Sequence, residues 1–189
     1  MMAVNVYEKF DKGLTPDQFI ESMSKNREPF QKWYDAFTWG SDEQEEFFKS
    51  LSFRDDLRCL IIAADWCGDV IRNVPAVFRA LEPTEMPVEV LIIEQHTDLI
   101  DQFLTFGARS IPKVIFADTG GHVLGHWGPR PAYVQEPMAA FKKEHTDPNA
   151  ERYDEAKKEV YAEIKKRYGD DADYQRLIVE ELREILSGV

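Results

Sequence analysis

The feature that most constrains the fold is an apolar run, Leu57 to Ala64, that leads directly into the short segment Trp66-Cys67-Gly68-Asp69. The run "LRCLIIAA" is rich in strand-forming residues and almost continuously apolar, which is typical of a strand buried on both faces. The residues from Val70 to Leu81 then place apolar side chains at helical spacing. The sequence therefore predicts a central strand, a tight turn at Cys67 and a helix.

The segments after this helix predict a mixed sheet. "VEVLII" reads as a second strand, and a helix is expected from about Thr97 to Phe106. "KVIFA" and "HVLGHW" read as two further strands joined by a turn at Gly120-Gly121. A strand, helix, strand sequence favours a parallel pair, whereas a short glycine turn favours an antiparallel hairpin.

Helical segments are expected on both sides of this α/β region. Thr15 and Ser41 each carry a helix-capping signature, and a break in the helix is expected near Glu28-Pro29. The C-terminal part predicts a helix after Pro131 and then two amphipathic helices separated by residues 169–171. We divide the chain into an N-terminal helical extension (1–52), a central α/β domain (53–145) and a C-terminal helical hairpin (146–189) packed on that domain. The apolar stripes of the hairpin could alternatively form a homodimer interface.

Charge and composition exclude several classes of function. The chain of 189 residues carries a formal net charge of −12, and no run of clustered Lys and Arg is present, so a nucleic-acid partner is not expected. No apolar segment has the length of a signal peptide or a membrane span, so we expect no membrane partner. Two cysteines in a chain of this length do not form a disulfide scaffold, which favours a reducing, cytoplasmic location.

Two separated motifs resemble the thioredoxin family. "WCGD" followed by Pro75 is similar to the thioredoxin active-site helix, with its "WCGxC" motif and a proline eight residues after the first cysteine. "GARSIPKVIFADTGG" is similar to the thioredoxin segment that ends in a cis-proline, here Pro112 after Ile111. The resemblance covers about residues 57–145 and implies a thioredoxin-like fold: a central mixed sheet flanked by helices, with helical extensions at both ends. It also implies that Cys67 and Pro112 lie side by side.

The sequence departs from the family at two functional positions. Val70 replaces the second, resolving cysteine, and Ile61 replaces a buried carboxylate. Cys59 cannot take the place of the missing thiol, because eight residues of strand and turn put it well over about 10 Å from Cys67, beyond the roughly 7 Å limit for a disulfide. Cys59 is therefore expected in the core. A dithiol cycle within one chain is excluded.

Cys67 alone is therefore the candidate catalytic residue. A helix N-terminus favours its thiolate, whereas Asp65 and Asp69 oppose ionisation, so the direction of its pKa shift stays open. Arg130 could pair with either aspartate or bind the carboxylate of a small thiol, while Arg72 is a weaker candidate. The predicted binding residues complete the site: Trp66, Gly68, Asp69, Ile111, Pro112 and Arg130.

Two functions follow as alternatives. The first is monothiol exchange, in which Cys67 reduces mixed disulfides between proteins and low-molecular-weight thiols. The second is a redox-inactive module that binds an extended peptide at the cis-proline groove. Assembly of an iron–sulfur cluster between two chains is a remote third possibility, because "CGDV" lacks the motif of monothiol glutaredoxins. The four histidines show no metal-ligand spacing with either cysteine, so no metal and no cofactor are expected.

Overall fold

The computed structural model describes residues 3–189, so the first two residues of the predicted extension lie outside it. Four strands form one sheet: β1 (Leu57–Ala63), β2 (Val88–Ile92), β3 (Lys113–Asp118) and β4 (Val123–Trp127). Their spatial order is β2-β1-β3-β4. β1 pairs parallel with β2 and antiparallel with β3, and β3 pairs antiparallel with β4. The predicted mixed sheet is confirmed.

β1 lies at the centre of the sheet, as its apolar sequence predicts. Six of its seven residues are buried, and its register places Ile61 opposite both Val90 and Val114. Four residues separate the end of β1 from the helix α4 (Gly68–Leu81), which contains the buried Pro75. This arrangement places Cys67 at the end of the central strand and at the start of a helix.

The N-terminal segment is helical, and its ends follow the capping residues. It forms α1 (Pro16–Ser22), α2 (Arg27–Asp35) and α3 (Asp42–Ser50), with short 3-10 turns at 7–9 and 51–53. Thr15 completes a capping box with Gln18. The break between α1 and α2 lies at residues 23–26 rather than at Glu28-Pro29. Pro29 lies in the first turn of α2, where its missing N–H leaves no helical hydrogen bond unmade.

The helix predicted from Thr97 to Phe106 is wrong beyond its first turn. The helix α5 spans only Thr97–Ile100, and the chain then bends into a tight turn in which Thr105 and Ala108 pair. Phe106 and Gly107 at its tip have φ of 50° and 75°, a left-handed conformation that a helix cannot contain. Ile100 and Phe103 are both buried although only Ile100 is helical. Their spacing of three residues is the same as on the apolar face of a helix, which explains the wrong prediction.

Three helices follow the sheet: α6 (Ala132–Glu144), α7 (Tyr153–Tyr168) and α8 (Gln175–Ser187). α7 packs along α6, whereas α8 packs on α3, α4 and β4. Buried side chains from the N-terminal segment, the sheet and α8 join one hydrophobic core, with Phe30, Leu60 and Ile178 all fully buried. The two terminal segments are thus integral to the core around the sheet. Within residues 3–189, no helix combines the length and the apolar character needed to cross a bilayer.

Candidate active site

Cys67 occupies the N-terminal cap of α4, and its backbone is extended there (φ −88°, ψ 123°). The side chain is partly buried. Sγ lies 3.5 Å from the carbonyl oxygen of Ile111 and donates a hydrogen bond to it. The bond between Ile111 and Pro112 is cis. The structure therefore brings the two motifs of the sequence together, with the sulfur beside the cis-proline.

The environment of Cys67 favours the thiol over the thiolate. Burial raises the pKa of the Cys67 thiol, and the negative charge of Asp69 raises it further. The backbone N–H groups of Val70 and Asp69 and the cationic Arg130 lower this pKa, but they do not reverse the shift. The sequence leaves the direction of the pKa shift of Cys67 open, and in the structure this pKa is raised.

The other positions of the dithiol mechanism are apolar and buried. Val70, at the site of the resolving cysteine, is fully buried on the inner face of α4. Ile61 is fully buried in β1, so the chain has no carboxylate at that position. Cys59 is also fully buried, and its burial raises the pKa of its thiol far above the ordinary value. Cys59 is therefore a core residue, as predicted.

Arg130 pairs with Asp69 rather than with Asp65. Its Nε and Nη2 donate to the two carboxylate oxygens of Asp69 at 2.8 and 2.7 Å, and its Nη1 donates to Gln135 at 2.7 Å. The Arg130 side chain is only 8% exposed. Three of its five N–H groups are engaged by these two side chains, so Arg130 holds Asp69 in place next to Cys67.

Two residues that the sequence analysis did not identify complete this network. The Tyr168 hydroxyl donates to Asp69 at 2.8 Å, and Asn73 donates to the Tyr168 hydroxyl at 2.7 Å. Asn73 also donates to the carbonyl oxygen of Pro129, which follows a second cis peptide bond at Gly128. Tyr168 is 99 residues from Asp69 in the sequence, so no local pattern could reveal the contact.

Gly128 allows the end of β4 to approach the cis-proline. Its φ is 115°, and a Cβ atom there would lie 2.2 Å from the carbonyl oxygen of Pro112. Any other residue would push β4 away from Pro112 and would move Arg130, two residues later, away from Asp69.

Asp65 connects the site to the N-terminal helices. Its carboxylate accepts hydrogen bonds from the backbone N–H groups of Ser24 and Lys25 at 2.9 and 3.1 Å, and Asn26 donates to its carbonyl oxygen. Burial raises the pKa of Asp65, but the hydrogen bonds from Ser24 and Lys25 outweigh it and lower this pKa. Asp65 therefore holds the loop between α1 and α2 against the segment that contains Cys67.

The remaining predicted site residues lie at the surface or outside the site. Trp66 is half exposed and its indole N–H donates to Glu94 at 2.6 Å. At Gly68, apart from its chain neighbours and the backbone of its own helix, no heavy atom lies within 4 Å of the position that a Cβ would take, so space is open on this side of the backbone. Arg109, in the loop before the cis-proline, pairs with Asp101. Residues 3–189 contain no group of three or more His, Cys, Asp or Glu side chains arranged to hold a metal ion.

Comparison with known proteins agrees with the fold described above. The family model described as thioredoxin matches residues 13–147. The chain belongs to the thioredoxin family. The match includes the helices α1 to α3, which lie outside the region covered by the two motifs and their resemblance to thioredoxin.

Two solved structures share the fold of this thioredoxin-family chain. One is the 1.5 Å crystal structure of PA1234, a protein of unknown function from Pseudomonas aeruginosa, with a TM-score of 0.62 and 18% identity over 98% of both chains. The other is the crystal structure of an HIV epitope-scaffold, with a TM-score of 0.65 and 16% identity over 98% of this chain and 99% of that one. No curated protein matches the sequence.

Proposed function

We propose that this protein catalyses thiol–disulfide exchange through the single thiol of Cys67. The observation that carries the proposal is the position of Sγ: at the start of α4, partly accessible, and 3.5 Å from the carbonyl oxygen that precedes the cis-proline. A peptide that lies along the cis-proline segment presents its own sulfur beside Cys67. Because Val70 cannot resolve the intermediate, each turnover uses a second thiol from solution.

The proposed reaction has two steps that balance in atoms and electrons. The Cys67 thiolate attacks one sulfur of a mixed disulfide, the S–S bond breaks, and the leaving thiolate takes a proton from water. The mixed disulfide on Cys67 is then attacked by a second low-molecular-weight thiolate, which releases Cys67 as a thiolate and forms a new disulfide. The second thiol is the reductant, and no electrons are stored in the protein.

The raised pKa of Cys67 sets the pH dependence of the first step. Only the thiolate attacks, and burial together with Asp69 keeps the sulfur protonated at neutral pH. The rate of exchange should therefore increase with pH beyond the ordinary cysteine value of about 8.5. Arg130 moderates this effect because its positive charge lowers the pKa of Cys67.

A peptide-exchange assay tests the proposal. A peptide that carries a mixed disulfide is incubated with excess small thiol, and release of the free peptide is followed with the wild-type protein and with Cys67→Ser. The wild type should accelerate release, and more so at pH 9 than at pH 7, whereas Cys67→Ser should not. Equal rates with both proteins would refute the proposal, and Cys59→Ser serves as the control for a general loss of thiols.

The second candidate function is a binding module without turnover, and the protonated state of Cys67 favours it. A thiol that donates to the Ile111 carbonyl is in a resting state, and peptide binding at the cis-proline does not use the sulfur. Partners captured equally by the wild type and by Cys67→Ser, together with equal exchange rates, would support this candidate. Partners bound by a reducible bond to the wild type alone would support exchange.

A further inference from the structure

A cavity of about 530 Å³ opens beside the start of α4, between α2 and the C-terminal end of α7. Gly68 and Asp69, the two residues after Cys67, line one side of it. Its size is in the range of small-molecule sites in proteins. The cavity is formed by segments that are far apart in the sequence, so no local sequence motif predicts it.

The charge of this cavity is opposite to that of the chain. Four cationic side chains line it, from Lys32, Arg72, Arg130 and Lys165, against the carboxylates of Asp69 and Asp170. The chain as a whole carries a formal charge of −12. A local excess of positive charge on such a protein attracts anionic ligands to this place in particular.

Three of the four cations are available to a ligand. Arg130 is engaged by Asp69, but across residues 3–189 the other three, Lys32, Arg72 and Lys165, make no salt bridge with any carboxylate. By contrast, a second cavity of about 530 Å³ near the start of β1 contains Arg58, which is already paired with Glu89 at 3.1 Å.

Arg72 is held rigidly by aromatic rings and not by acidic residues. Its guanidinium carbon lies 4.3, 4.9 and 4.7 Å from the ring centres of Trp33, Tyr168 and Tyr174, and its Nη2 donates to the carbonyl oxygen of Gly169. Lys32 lies over the ring of Trp33, 4.9 Å from its centre. Aromatic rings and a carbonyl hold the cation in place without neutralising its charge. Such an arrangement is preorganised for an anionic group.

We infer that this cavity binds the carboxylate groups of a low-molecular-weight thiol. The inference rests on the proposed function, because the cavity is lined by Gly68 and Asp69, the two residues that follow Cys67 in the chain. The small-thiol half of a mixed disulfide would extend over Gly68, whose backbone is open, while the peptide half lies along the cis-proline. The preferred substrates are thus peptides joined by a disulfide to a thiol that bears carboxylates.

The test measures binding without chemistry. S-methylglutathione, a tripeptide with two carboxylates and a blocked sulfur, is titrated into the Cys67→Ser variant by calorimetry. Binding should be detected and should weaken as salt is added. Lys165→Glu should weaken it by about tenfold, which corresponds to a change of about 1.4 kcal/mol. Lys32→Glu should have a similar effect.

Lys158→Glu is the matched control. Lys158 lies on the same helix, two turns before Lys165 and about 10 Å away along its axis, and it does not line the cavity. Undetectable binding, or equal weakening by Lys158→Glu and Lys165→Glu, would overturn the inference. Inorganic phosphate is titrated separately, and phosphate that binds as tightly as the tripeptide and displaces it would also overturn it, since the site would then be a general anion site.

This test is independent of the exchange reaction. If the tripeptide binds in the cavity but the wild-type protein does not accelerate exchange, the proposed function fails and the binding site stands. If exchange occurs but peptides modified with glutathione and with cysteamine, which has no carboxylate, react at equal rates, the proposed function stands and this inference fails.

Discussion

The pair formed by Arg130 and Asp69 should contribute strongly to stability, and this can be measured in a double-mutant cycle. Arg130→Met leaves the Asp69 carboxylate with the Tyr168 hydroxyl as its remaining side-chain donor, in a place where it is only 18% exposed. Loss of one partner from a fully buried pair costs about 3–5 kcal/mol. Because Asp69 keeps some contact with water, we expect a loss of about 2–3 kcal/mol in the free energy of unfolding.

The cycle combines Arg130→Met with Asp69→Asn, and urea denaturation gives the free energy of unfolding of each variant. The double variant no longer contains an unpaired charge, so it should lose at least about 1 kcal/mol less than the sum of the single losses. Arg109 and Asp101 form an exposed pair with the same bidentate geometry and are the control, for which we expect little coupling. Losses at Arg130 and Asp69 that add within about 0.5 kcal/mol would show that the two side chains do not stabilise the protein as a pair.

Three further outcomes follow from the site and its surroundings. Alkylation of Cys67 by iodoacetamide at pH 7 should be slower than that of free cysteine. It should be faster in Asp69→Asn, because the aspartate raises the pKa of the thiol. A wild-type rate above that of free cysteine would contradict the raised pKa. Cys59 is fully buried, so iodoacetamide should label it only in urea, and peptide mapping of the alkylated protein measures this. Labelling of Cys59 in the native protein would contradict its burial in the core. Gly125→Val should lower the free energy of unfolding by roughly 1–3 kcal/mol, because its Cβ would lie 2.6 Å from Cγ2 of Ile185; an unchanged urea midpoint would argue against the packing of α8 on β4.

The sequence predicts the parts of this protein whose structure is determined locally. The continuous apolar run of β1 indicates a central strand, and the residues around Cys67 and Pro112 indicate a strand-to-helix turn and a cis-proline. The resemblance to thioredoxin then places the two motifs side by side, which the structure confirms. The shortened α5 was not predictable from apolar spacing, because Ile100 and Phe103 are buried by a turn that has the same spacing as a helix.

The support of the site depends on contacts between distant segments. Tyr168 reaches Asp69 from α7, and Asp65 binds backbone groups of the loop between α1 and α2. The direction of the pKa shift of Cys67 cannot be read from the sequence, because the helix N-terminus and the aspartates act in opposite directions. Burial of the thiol, which depends on the fold, is the largest cause of the raised pKa. Sequence reasoning left Arg130 with three possible partners, and only the fold selects Asp69.

Mass spectrometry of the intact protein after exposure to a mixed-disulfide peptide shows whether Cys67 exchanges disulfides. We expect one peptide or small-thiol adduct per chain, located on Cys67. It should form faster as the pH rises and should be removed completely by added small thiol. Native protein that stays unmodified at pH 9, or an adduct that maps to Cys59, would contradict it.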